Sequence, residues 1–270
     1  MSPTTSPDGP AMAGRRLSGR LAAGRASGRS ALVAYLTAGY PDPATSVTLL
    51  REIAAAGADV LEVGVPFSDP MADGPIIQRS SQVALEHGVT LARTLELVAE
   101  AALDIPVVLF SYLNPVLAAG PAVLTEARAA GVDGLLITDL PVGADPERER
   151  WLGSSALEFV RLVAPTTPPA RMAEIGRHGS GFVYLISRLG VTGERTTLPD
   201  DLPATVARLR EATTLPICIG FGISTPAQAQ EAARLGDGVV VGSALVRAAG
   251  ESVGAVVELT RSIRTALDAR

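Results

Sequence analysis

DVLEVG (59–64), running on into VPFSDPMADGPIIQ (65–78), contains both the architectural unit of the chain and its chemical anomaly. Val60, Leu61, Val63 and Val65 are apolar on both parities, the pattern of a strand buried on both faces, as parallel sheets require. Into that run falls a carboxylate, Glu62, and the Pro- and Gly-rich loop behind it brings a second, Asp73. Burying even a neutral polar group without a partner costs roughly 2–7 kcal/mol, and an ionised one costs more, so Glu62 must be paired or used. Period-two alternation puts Val60, Glu62 and Gly64 on one face of the strand and Leu61, Val63 and Val65 on the other.

Working outward, similar short apolar runs recur at ALVAYL (31–36), PVVLFSY (106–112), VDGLLITD (132–139), ALEFVRLV (156–163), FVYLIS (182–187), PICIGFG (216–222) and GVVVGS (238–243). Between them lie Ala-, Leu-, Glu- and Arg-rich segments with helical spacing, several ending in Gly, as in SVTLLREIAAAG and PAQAQEAARLG. Strand–helix alternation supplies the crossover that each parallel pair needs. At 270 residues, 47% of them apolar, the pattern reads as one domain, a (β/α)8 TIM barrel of the α/β class, with a doubly wound open sheet as the alternative. A last helix, SVGAVVELTRSIRTAL, closes the chain.

All 23 basic residues are arginine, and there are only two histidines and one cysteine. Net charge is −5, with acids and arginines interspersed beyond residue 30, so no basic face for nucleic acid is expected. Cys218 lies in an apolar strand, which fits a core thiol in a reducing, cytoplasmic setting. No apolar run approaches the roughly 18 residues of a membrane span. Residues 1–30 carry Arg15, Arg16, Arg20, Arg25 and Arg29 against Asp8 alone. They read as a flexible tail over 1–14 leading into a short helix, with the barrel over 15–270; an organelle transit peptide is the alternative.

In a barrel the active site forms at the C-terminal ends of the strands. Glu62 then points into the mouth, where desolvation should raise its pKa toward the range of a general acid/base; the competing reading is a buried Glu paired with an arginine. Asp73 sits in a loop stiffened by Pro66, Pro70 and Pro75, although Asp-Gly is also an ordinary turn. Glycine-rich loops follow the last three strands: SRLGVTGERTT (187–197), GFGIS (220–224) and VGSALV (241–246). Backbone N–H groups there suit a phosphate, with Gly222, Gly242 and Ser243 the contacts and the Ser243 hydroxyl able to cap the helix; close strand–helix packing is the alternative. The loop 187–197 suits a lid, with Arg188 as its anchor or, alternatively, simply exposed. His87 and His178 precede Gly at helix ends, where His stabilises the C-terminus, and two separated histidines make a zinc site unexpected.

Over about residues 31–250 the chain resembles the tryptophan synthase α-subunit family, through LTAGYPDP, LEVGVPFSDPMADGP, LITDLP, LVAPTT, YLISRLGVTG, GFGIS and VGSALV. The resemblance implies a (β/α)8 barrel that cleaves indole-3-glycerol phosphate to indole and glyceraldehyde 3-phosphate in tryptophan biosynthesis. It implies Glu62 and Asp73 as the catalytic carboxylates and Gly193, Gly222, Gly242 and Ser243 as phosphate contacts. Tyr184 matches a substrate-side tyrosine, Thr192 the lid threonine that meets the loop aspartate, and Tyr35 and Phe110 the apolar lining. Asp69 and Asn114 match positions facing a β subunit in an αββα tetramer. That partner, rather than this chain, would carry pyridoxal phosphate; no cofactor or metal is expected here. The missing lysine excludes the Schiff-base route of the related indole-glycerol phosphate synthases. A phosphosugar isomerase, a stand-alone indole-releasing homologue and a catalytically silent partner of a β subunit remain as alternatives.

Overall fold

A computed structural model describes residues 15–187, 198–220 and 222–269. Among them eight strands pair in parallel, each with the next and the last with the first, to close a barrel. They are β1 (Ala31–Thr37), β2 (Val60–Gly64), β3 (Val107–Ser111), β4 (Gly134–Ile137), β5 (Glu158–Val163), β6 (Val183–Ile186), β7 (Ile217–Gly220) and β8 (Gly238–Val241). Every run read as a strand is one, and the closed sheet excludes the doubly wound alternative. The two parities separate as the alternation requires. Leu61, Val63 and Val65 pack into the layer between sheet and helices, while Val33, Val60, Val108, Leu136, Val160, Phe182, Cys218 and Val240 fill the barrel interior.

Helices follow the strands, among them α2 (Pro43–Ala55), α7 (Pro146–Gly153), α9 (Leu202–Ala212) and α10 (Pro226–Ala233), and two crossovers are enlarged. Between β2 and β3 stand α3 (Pro75–Glu86) and α4 (Leu91–Ala101), so the loop carrying Asp73 ends at a helix start with Gly74 at the N-cap and Pro75 as the first helical residue. Between β3 and β4 stand α5 (Leu113–Ala119) and α6 (Val123–Ala129), and β8 is followed by α11 (Ser243–Ala249) and α12 (Val253–Asp268). His87 and His178 are the C-cap residues of α3 and of α8 (Pro169–Arg177), the helix-end placement their His-Gly context implies.

The Arg-rich start has a structural use. The first fourteen residues, read as a flexible tail, lie outside the described residues. From Arg16 to Ala26 runs α1, which closes the floor of the barrel with buried Leu17, Ser18 and Leu21. Three aspartates stand immediately before strands: Asp59, Asp133 and Asp237. Each accepts the backbone N–H of a residue at the start of the neighbouring strand, Leu32, Val107 and Ile217 respectively, at 2.8–3.1 Å. Each also meets an α1 arginine: Arg20 reaches Asp59 at 2.9 Å, Arg16 reaches Asp133 at 3.3 Å and Arg25 reaches Asp237 at 3.7 Å. Arg29 and the buried Arg264 complete the Asp59 cluster. Buried Glu158 accepts hydrogen bonds from the Ser18 backbone N–H (3.1 Å) and the Ser18 hydroxyl. Spoke-like pairing of this kind fixes the helix across the floor and leaves the opposite rim open.

Candidate active site

At the open rim, β2 presents Glu62 on its inward face beside Tyr35 of β1 and Val108 of β3. Only 1% of its surface is exposed, and Oε1 has no hydrogen-bond partner among the described residues. Among the described residues no arginine pairs with it and no charge offsets its burial, so the buried-pair reading finds no support there. Desolvation therefore acts unopposed and pushes the carboxyl up to about 8. Neutral Glu62 is thus the resident form at pH 7.

Two tyrosines flank it because two glycines make room. Tyr35 lies across Gly64, where a Cβ would come within 2.1 Å of the phenol oxygen, and Tyr184 lies across Gly220, where the same distance would be 2.3 Å. Phe110 meets the Tyr35 ring edge-on at 5.3 Å, which completes an aromatic wall above Glu62. The Tyr35 hydroxyl stands 3.4 Å from Thr37 Oγ1, and Thr37 continues to Ser80 of α3 at 2.6 Å. Burial raises both phenols, Tyr35 and Tyr184, well above their ordinary pKa, so they remain neutral.

Asp73 reaches the same cavity from the loop. Its backbone N–H bonds Pro70 O at 3.1 Å, and Gln78 of α3 donates its amide to Asp73 O at 2.9 Å. The carboxylate accepts a hydrogen bond from Tyr112 at 3.1 Å through Oδ2. Desolvation is the larger influence and the phenol opposes it, leaving the Asp73 pKa at about 6. Two acids lining one cavity are thereby held on opposite sides of neutrality, the arrangement that lets one donate while the other accepts.

The far end of the cavity is built from the loops after β7 and β8. Gly222, Ile223, Ser224, Gly242, Ser243 and Ala244 line it together with Val240. Gly222 has φ +91°, open to glycine and rarely to other residues. Gly242 rather than Ser243 occupies the N-cap of α11, so the capping role read for the Ser243 hydroxyl is not realised and Ser243 is the first helical residue. A Cβ on Gly242 would stand 3.6 Å from Tyr35 and fill space between the helix start and the aromatic wall. Thr192 and Gly193, with Arg188, lie outside the described residues.

The structure therefore brings Tyr35, Glu62, Asp73, Phe110, Tyr184, Gly222, Gly242 and Ser243 to one cavity. Asp69 and Asn114 are elsewhere, exposed on the outer rim. Near them Met71 is 84% exposed, the large apolar side chain left in solvent among the described residues. Sequence reasoning missed Tyr112, Ser224, Ile223 and the Thr37–Ser80 hydroxyl pair. Tyr112 follows the end of β3, and its partner Asp73 lies 39 positions away, so strand alternation carries no signal for the contact.

A family model described as tryptophan synthase alpha chain matches residues 21–266. The chain is 48% identical over 244 residues to the tryptophan synthase alpha chain of Gluconacetobacter diazotrophicus, covering 89% of each. It is 47% identical over 262 residues to that of Laribacter hongkongensis, covering 94% of this chain and 99% of the relative. The chain belongs to the tryptophan synthase alpha chain family. Solved structures agree. A Mycobacterium tuberculosis tryptophan synthase superimposes with a TM-score of 0.86 at 36% identity, covering 93% of this chain and 98% of that one. The tryptophan synthase subunit alpha of Legionella pneumophila gives 0.85 at 34% identity, covering 94% and 98%. For this member of the tryptophan synthase alpha chain family, the open rim with its paired acids is the candidate active site, and the arginine-pinned floor is a stabilising element.

Proposed function

We propose that this chain cleaves indole-3-glycerol phosphate to indole and glyceraldehyde 3-phosphate, the α reaction of tryptophan synthase, with Glu62 and Asp73 as its catalytic residues. The observation that carries the reading is two carboxyls facing one apolar cavity in unlike surroundings, Glu62 buried with no partner for Oε1 and Asp73 held by the Tyr112 phenol, so that burial pushes Glu62 up to about 8 and leaves Asp73 at about 6. Around pH 7 this supplies one acid and one base.

Protonated Glu62 gives its proton to indole C3, and the ring electrons that form the new C–H bond leave positive charge on N1. Ionised Asp73 accepts the N1–H hydrogen bond and stabilises that charge. The Glu62 carboxylate then takes the proton of the side-chain hydroxyl; the O–H electrons close the aldehyde, the C–C bond breaks and its electrons return to the ring. Glu62 ends as it began, protonated. The indole ring is its own electron sink, so the scheme calls for no lysine, and none is present in the chain.

The apolar end of the cavity, with Tyr35, Phe110 and Tyr184, suits the indole. The glycine end at Gly222, Gly242 and Ser243 suits the phosphate, gripped by main-chain N–H groups. Thr192 and Gly193 are proposed to complete the closed site from the loop. The exposed rim bearing Asp69, Met71 and Asn114 is proposed as the docking face for a β subunit in an αββα assembly. Pyridoxal phosphate would belong to that partner. A cytoplasmic setting is part of the same reading; no helix among the described residues is long and apolar enough to cross a membrane.

The test is indole release from indole-3-glycerol phosphate, with and without a β subunit, by the intact chain and by Glu62→Gln and Asp73→Asn. Loss of turnover of about 10²–10⁴-fold in each variant is expected, the usual worth of a positioned acid or base. Turnover that survives Glu62→Gln refutes the assignment, and absence of indole in every arrangement leaves only a silent regulatory barrel.

A further inference from the structure

Asp73 is the more exposed of the two acids and sits on a loop, so something must fix its carboxylate against the cavity. We infer that Tyr112, which stands behind the loop, is the positioning residue that fixes the Asp73 carboxylate for the proposed reaction.

The hydrogen-bond directions at the phenol are determined. The backbone N–H of Ala72 donates to the Tyr112 oxygen at 2.9 Å, so the phenol accepts there and has one proton left to give. That proton goes to Asp73 Oδ2 at 3.1 Å. Among the described residues Oδ1 has no such partner and is left for a substrate donor. The ring is held in turn: it is 3% exposed, and Phe67 of the same loop lies against it at 5.1 Å with a 34° tilt. Tyr112 is also the N-cap residue of α5, and the next N–H, of Leu113, bonds Asp139 at 2.7 Å. The phenol is thus anchored by a strand end, a helix start and a loop ring, while the carboxylate it holds belongs to a residue 39 positions away. Tyr112 does not line the cavity, so it acts through Asp73 and not on the substrate.

A hydrogen bond donated to a carboxylate favours its ionised form. Tyr112 opposes the desolvation of Asp73, and without the phenol proton the Asp73 pKa rises above about 6. Among the described residues, the other titratable groups that act on this site are Glu62 of β2, Tyr35 of β1 and Tyr184 of β6, with Asp139 on the far side of Tyr112. Both other tyrosines remain neutral there, and Glu62 is protonated below about 8. None of them supplies the missing donor.

Tyr112→Phe keeps the ring and removes only the proton. The role rests on the proposed function; the titration of Asp73 does not. With ¹³C-labelled aspartate, the Asp73 carboxyl should titrate near 6 in the parent chain and roughly one pH unit higher in Tyr112→Phe. In turnover, kcat at pH 7 should fall about tenfold, about twofold of it from the shifted titration and the rest from lost positioning, with KM within about twofold, and the acidic limb of the pH profile should move upward by the same interval. If Tyr112→Phe does not fold, Phe67→Leu loosens the ring while keeping both polar groups and should move the titration the same way by less. An unmoved Asp73 midpoint, or a loss of kcat without displacement of the acidic limb, overturns the inference and makes Tyr112 a packing residue. If the parent chain releases no indole, the proposed function fails, and the carboxyl titration still decides whether Tyr112 holds Asp73.

Discussion

Replacing Glu62 by Gln should destroy activity and stabilise the fold, and the stabilisation should depend on pH. In the folded chain this carboxyl titrates at about 8, against an ordinary 4.5. Below pH 4.5 it is protonated in both the folded and the unfolded chain and contributes nothing to the difference between them. Between those values the folded state holds a proton that the unfolded state has released, so stability falls as pH rises, and the loss is complete above the folded value. At about 1.36 kcal/mol per pH unit the interval corresponds to a ceiling of roughly 5 kcal/mol. Gln cannot titrate, so the variant escapes the whole of this loss. Its buried amide brings a cost of its own, which is the same at every pH and cancels when two pH values are compared. Thermal unfolding of both proteins at pH 5 and pH 8.5 should show the melting-temperature advantage of Glu62→Gln growing by several degrees, since 1 kcal/mol is worth about 2–4 °C for a domain of this size. An advantage that stays constant, or shrinks, as pH rises would show that Glu62 is ionised in the folded state, and the acid role assigned to it would fall.

The same pair of groups predicts a bell-shaped dependence of kcat/KM on pH, with limbs near 6, where Asp73 loses its charge, and near 8, where Glu62 loses its proton; a profile flat across this range counts against both roles. Gly220→Ala drives a Cβ to within 2.3 Å of the Tyr184 phenol and should cost about 1–3 kcal/mol in urea denaturation while lowering kcat/KM more than tenfold; normal kinetics would mean that Tyr184 does not shape the site. At the floor, Asp59→Ala leaves the Leu32 N–H without its acceptor and the buried Arg264 with Asp268 alone as carboxylate partner, so stability should drop by about 1–3 kcal/mol with kcat unchanged in the protein that remains folded.

Burial on two faces made the strands legible. A parallel strand such as Val60–Gly64 reads as an apolar run, and a carboxylate inside it stands out without any knowledge of the fold. The glycines were legible as a pattern but not in their reasons: Gly64 and Gly220 are small because tyrosines from adjacent strands lie across them. Tyr112 was missed because its significance is a contact with a residue 39 positions earlier, and alternation gives the direction of a side chain without naming what it meets. The Arg-rich start reads as a tail leading to a short helix because Gly19 and Gly24 weaken any helix there. Tertiary packing of Leu17 and Leu21, with the three aspartates, overrides that weakness. The aspartates themselves carried a signal, since GADV, GVDG and GDGV repeat the same acid just ahead of a strand.

The two ends of the barrel treat carboxylates in opposite ways, and that contrast is what divides stability from chemistry. At the floor Asp59, Asp133 and Asp237 each receive a backbone N–H and at least one guanidinium, so each carboxylate is met by a counter-charge. At the mouth, among the described residues, Glu62 receives no guanidinium and Asp73 receives one phenol. None of the described residues lining the cavity is basic, in a chain with 23 arginines. An arginine beside Glu62 would hold it ionised and remove the proton it is proposed to donate. Keeping cations away from Glu62 is therefore a condition of its proposed role, and main-chain N–H groups at Gly222, Gly242 and Ser243, which attract an anion without carrying full charge, suit the proposed phosphate end.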